Sequence, residues 1–158
     1  MKYLRGCEIK QNEIADDFYE AYRRCFEAKN PKVDEFGIKV YEIVSVPGFV
    51  NGLFACELYL KCLLGDKLSQ ISKTRTHNLK SLYNKLDNDT KKILKDVQID
   101  PKYKLEDLLK NIGNGFIAWR YIFEDGNEKF GDKHPFEYTE YFLKVYLPIL
   151  KQLCSIDK

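Results

Sequence analysis

Apolar residues recur at helical spacing along nearly the whole chain. Ile14, Phe18, Tyr22, Cys25 and Phe26 form a first stripe, which predicts a helix over roughly residues 10 to 29. Asn30-Pro31 ends it, because the residue before a proline avoids helical backbone geometry. Residues 31 to 45 lose the period. Ile38, Val40, Ile43 and Val44 have extended character, but no second strand is in view to pair with them. A lone strand leaves its backbone groups unsatisfied, so a packed loop is the expectation.

Pro47 fits the first turn of the next helix, where its missing N–H costs nothing. That helix is expected to run to about Leu64 and to stop at Gly65. It is apolar on most sides, so neighbours should surround it. Leu79, Leu82, Tyr83 and Leu86 then predict a helix capped by Thr76 or Asn78. Asp89 or Thr90 is the expected cap of another, which carries Ile93, Leu94 and Val97 and is broken by Asp100-Pro101. From Leu105 the positions Leu108, Leu109, Ile112, Phe116, Trp119 and Phe123 are again helical. Gly113 and Gly115 lie within that run, and each costs about 1 kcal/mol relative to alanine, so a kink or break belongs there. Residues 125 to 134 read as a loop. His134-Pro135 opens a last helix bearing Phe142, Val145, Tyr146, Ile149 and Leu153, with a kink expected at Pro148. The sum is an all-α bundle of four main helices with one or two short ones, a single domain over residues 1–158.

Composition narrows the class without naming an activity. Hydrophobic residues at 44% and charged residues at 32% suit a soluble globular protein. A net charge of +2 does not announce nucleic-acid binding. Lys91, Lys92, Lys95, Lys102 and Lys104 cluster locally, a pattern that reads first as a solvated face. Cys7, Cys25, Cys56, Cys62 and Cys154 are odd in number and scattered. None forms a CxxC pair, so no metal site, redox motif or cofactor is expected, and a reducing cytoplasm is the natural compartment. The first residues lack a signal-peptide core. The apolar run from Phe49 to Leu64 is interrupted by Asn51, Glu57 and Lys61, so no membrane span is expected. Phosphate-loop, dinucleotide, zinc-protease and nucleophile-elbow motifs are all missing.

A few polar residues stand out against this apolar pattern. Glu57 and Lys61 are one turn apart in the favourable order for an ion pair. The plain reading is a half-exposed pair. If the pair is buried instead, His77 or Arg120 would serve as a further partner. His77 opens a helix and reads first as a structural residue fixing the preceding loop. Arg120 and Glu124 are again one turn apart, with Tyr121 beside them. A structural ion pair is the plain reading there, and a phosphate held by the planar guanidinium is the functional one.

Three segments carry a resemblance. They are Phe54-Ala55-Cys56-Glu57-Leu58-Tyr59-Leu60-Lys61, then His77-Asn78-Leu79 with Leu82-Tyr83, then Trp119-Arg120-Tyr121-Ile122-Phe123-Glu124. Their order over about residues 46 to 150 resembles the HEPN domain family (higher eukaryotes and prokaryotes nucleotide-binding). The resemblance implies an all-helical bundle, commonly dimeric, and many such proteins are ribonucleases of toxin–antitoxin and phage-defence systems. Their catalytic signature is an arginine followed, after four to six residues, by a histidine. Here the first histidine after Arg120 is His134, and Arg75 stands too close to His77, so that chemistry does not carry over. The fold carries over, as do Glu57, Lys61, His77, Arg120, Tyr121 and Glu124 as a polar cluster that is ligand-binding or structural. The leading expectation is a non-catalytic HEPN-like protein that binds RNA, a nucleotide or a protein partner, as a homodimer, in a defence or stress system. A divergent metal-independent ribonuclease using His77 and Arg120, and a purely protein-binding helical module, stand as alternatives.

Overall fold

A computed structural model describes residues 11–27, 32–33, 35–37, 39–40, 45–65, 77–97, 99–120 and 135–156. Helix α1 is Gln11–Phe26. A hairpin of β1 (Lys32–Val33) and β2 (Lys39–Val40) follows. Then come α2 (Ser45–Leu64), α3 (Leu79–Lys85), α4 (Asn88–Asp96), α5 (Leu105–Ile112), α6 (Gly115–Arg120) and α7 (Pro135–Ile156). Among the described residues the architecture is therefore helical apart from the hairpin.

Helix α2 is the axis. Phe49, Leu53, Cys56, Tyr59, Leu60 and Leu64 are buried around its circumference, against α1, α3, α6 and α7. Its all-round apolar surface forces this central placement, since each exposed side would leave large apolar area in water. Close approach depends on Gly52: a Cβ there would sit 2.8 Å from Leu143 and 2.9 Å from Tyr22. Gly65 ends the helix with φ +50°, as its position predicts. Trp119 is fully buried against Phe49, and its indole N–H donates to the Thr139 hydroxyl at 3.0 Å, which ties α6 to α7.

The helix expected from Leu105 onward is interrupted at Gly113-Asn114, separating α5 from α6. The interruption holds the start of α3. The Leu79 N–H donates to the Gly113 carbonyl at 2.8 Å, and the Asn78 amide donates to the Asn114 side chain at 2.8 Å. Asn78 also caps α3, accepting from the Ser81 N–H at 2.9 Å. Helix α7 runs on through Pro148, whose side chain is exposed.

Two expectations are corrected. The segment read as a packed loop contains a paired hairpin, with Lys32 opposite Val40 and Val33 opposite Lys39. Two-residue strands are too short to show an alternating pattern, so the partner was invisible. The cap of α4 is Asp87, not Asp89 or Thr90. Asp87 accepts from the Thr90 N–H at 2.8 Å and from the Thr90 hydroxyl at 2.7 Å. Thr90 therefore sits at the third helical position and completes the cap from inside the helix.

Candidate functional site

Glu57 lies in the middle of α2 and is fully buried, with 0% of its side chain exposed. A buried carboxylate is tolerable only with close compensation. One turn on, the Lys61 ammonium donates to Oε1 at 2.6 Å and keeps 19% exposure. From the start of α3, His77 Nδ1 lies 3.0 Å from Oε1 and 3.1 Å from Oε2. The plain reading of a half-exposed Glu57–Lys61 pair is thus overturned. The helices packed around α2 close over the acid, and only the outer ends of its partners reach water.

The docking of α3 sets the geometry of the histidine. His77 directly precedes Asn78, which is fixed at once to Ser81 and to Asn114. An ionised carboxylate only accepts, so Nδ1 must carry the proton and donate. In the neutral ring this leaves Nε2 as the nitrogen with a free lone pair, on a side chain 41% exposed. Phe116 packs beside the imidazole with ring centroids 6.0 Å apart, and stacks on Phe54 at 4.6 Å. An aromatic series from Phe18 through Phe54 and Phe116 thus reaches the surface at His77.

Arg120 ends α6, one turn beyond Phe116, and is exposed. It is not the partner of Glu57, which among the described residues is met by Lys61 and His77. Tyr121, Glu124 and His134 lie outside the described residues. Phe116 gave no sign of its place beside His77 beyond its helical spacing to Arg120. Two further polar clusters surround the core. Tyr59 donates to Asp16 at 2.6 Å, with Lys151 3.4 Å from the same oxygen. Glu137 receives Tyr103 and, at 2.6 Å, Lys102.

Cys56 is buried, and burial pushes its thiol well above the usual range, away from nucleophilic use. Cys25 and Cys62 are part-buried thiols, Cys154 is buried with its thiol donating to the Tyr59 carbonyl at 3.3 Å, and Cys7 lies outside the described residues. No cluster of three or more metal-ligating side chains occurs among the described residues, and no described helix is long and apolar enough to cross a membrane. The lysine cluster is partly neutralised, with Lys95 on Glu106 at 3.2 Å, Lys102 on Glu137, and Lys91 donating to the Asn84 carbonyl.

Among the described residues, fold and site define a helical bundle in which a buried carboxylate orients a part-exposed imidazole. No protein-family model, curated protein or solved structure matches the chain significantly. The HEPN likeness therefore rests on the three sequence segments themselves.

Proposed function

We propose that this chain is a HEPN-like helical protein that binds the phosphate of RNA or of a nucleotide at His77, without turning it over. The observation that supports this reading most is the buried Glu57 anchoring both Lys61 and His77 from beneath. When the imidazole is protonated, its outer Nε2–H donates alongside the Lys61 ammonium, which suits an oxyanion; Arg120, exposed at the end of α6, adds positive charge, and Phe116 lends an aromatic surface beside the ring. This chemistry fits a phosphate-bearing ligand better than an apolar protein surface. A bundle of four main helices, homodimeric and working in phage defence or a toxin–antitoxin-type stress response, completes the proposal by resemblance.

The Glu57–His77 contact favours one second reading, a metal-independent ribonuclease. With Nδ1 held by the carboxylate, Nε2 is set to take the proton of a ribose 2′-hydroxyl as that oxygen bonds to the adjacent phosphorus, forming a 2′,3′-cyclic phosphate while the P–O5′ bond breaks and the 5′-oxygen takes a proton from water. Arg120 would then offset the charge growing on the phosphate.

One experiment separates the two. Purified protein is mixed with total cellular RNA, and separately with nucleotides, in the presence of a chelator, and both retention and cleavage are scored. Retention of intact RNA that weakens about tenfold in His77→Ala or Arg120→Ala, the worth of one charge-assisted contact, is the expected result. Cleavage abolished by either substitution would establish the ribonuclease instead. Neither retention nor cleavage would overturn both, and circular dichroism of each variant controls for folding.

A further inference from the structure

A second region of the core sets buried hydroxyls among apolar side chains. Helices α2, α3, α4, α5 and α7 meet around a cavity of about 10 Å³ lined by leucines, Phe142, Tyr83 and Tyr146. Both tyrosines are buried, at 5% and 1% exposure, and neither hydroxyl has a hydrogen-bond partner. All other side chains lining this cavity are apolar. Native interiors rarely leave buried hydroxyls unpaired, because each has given up its bonds to water without replacement.

Tyr83 and Leu109 also form part of an outer depression of about 210 Å³, rimmed by Lys80, Asn84 and Glu106. The two spaces therefore share a wall. An apolar cavity of about 150 Å³ holds a benzene ring, so the outer depression is large enough for one six-membered ring. The shared wall belongs partly to α3, a helix of seven residues. Burial first, then Tyr141 and Tyr83, push the Tyr146 phenol up to about 12, so at neutral pH it is a protonated donor.

We propose that depression and cavity form one binding site for a small uncharged ring compound carrying a single hydroxyl or carbonyl. The ring lies over Tyr83 and Leu109, and its oxygen reaches inward to the two unpartnered tyrosine hydroxyls. The absence of any charged side chain in the inner lining selects against a charged group there, which would enter unpaired. The two phenols select for an oxygen over a plain hydrocarbon. The site is separate from the Glu57–His77 cluster and does not depend on the function proposed for it.

Phenol is the probe, with toluene as the ring that lacks the oxygen. Thermal melts and a two-dimensional NMR titration are run on the full chain and on Tyr83→Phe and Tyr146→Phe, both of which keep the packed ring. Phenol should raise the melting temperature with dose and shift amides of α3 and α5, while toluene should do so far less. Each tyrosine substitution should weaken phenol about three- to tenfold, the range for loss of one neutral hydrogen bond. No response to phenol would overturn the proposal. So would an equal response to toluene, or a phenol response unchanged in both variants.

Discussion

Helix α2 faces two buried polar environments that solve the same problem differently. At Glu57 a full charge is taken out of water, and every close contact serves it: Lys61 at 2.6 Å and His77 at 3.0 Å. Around Leu60, three residues on, two neutral hydroxyls are buried and left unpaired. Desolvating a charge is far more costly than desolvating a hydroxyl, so leaving the first unpaired costs the fold much more than leaving the second. The polar cluster is thus built into the fold, whereas the tyrosine cavity keeps hydrogen-bonding capacity in reserve. A site of the first kind presents fixed chemistry at its outer edge. One of the second kind offers recognition inside.

The largest expected effect breaks the first environment. Lys61→Met with His77→Phe keeps bulk but strips both partners from the buried acid. Stranding a buried charge costs about 3–5 kcal/mol, which the urea midpoint would report. Adding Glu57→Leu to that background should recover most of the loss, because a well-packed apolar replacement of a buried ion pair is often neutral or better. A double variant that loses less than about 1 kcal/mol would mean that the acid is not held as these contacts imply.

Much of the scaffold behind this comparison is legible in the sequence. Pro47 and Gly65 bracket α2, Asn78 caps α3, and Gly113 marks the break before α6, because each acts through local backbone chemistry. The Asp87 cap escapes such reading because Asp87, Asp89 and Thr90 are all good caps within four positions, and only the geometry chooses among them. The Glu57–His77 contact escapes for a different reason: twenty residues separate the partners. A lone acid on an apolar helix does announce that some partner exists, and His77 or Arg120 were the natural choices. Only the docking of Asn78 onto Asn114 decides for the histidine. Nothing in the pattern around Tyr83 or Tyr146 distinguishes an unpaired buried tyrosine from a paired one such as Tyr59.

That last contrast gives a sharper, smaller test. The Tyr59 hydroxyl donates to Asp16 at 2.6 Å, and burial together with that carboxylate pushes its phenol up. Tyr59→Phe removes a hydrogen bond to a charged group and should cost about 1–2 kcal/mol, near the low end because Asp16 is half-exposed. Tyr146→Phe removes a hydroxyl with no partner, and should be neutral or stabilising by up to about 1 kcal/mol in the ligand-free protein. Equal losses in the two variants, measured by chemical denaturation, would show that Tyr146 is already paired and would erase the distinction between the two environments.

The smallest effect comes from a charge that never leaves water, which sets the other limit of the comparison. Hydrogen bonds from Arg23 and Arg24, at 3.0 and 2.9 Å, hold the Glu20 carboxyl down at about 2 against an ordinary 4.5. Between those values the unfolded chain binds more protons than the native one, so stability rises with pH there. The contribution is complete above about pH 4.5 and is lost as the pH falls toward about 2. Solvent screening keeps it small at this exposed face of α1. Glu20→Gln should therefore flatten the acid limb of the urea midpoint between about pH 5 and about pH 2, and leave the midpoint at neutral pH only slightly lower. An acid limb as steep in the variant as in the parent would assign acid sensitivity elsewhere.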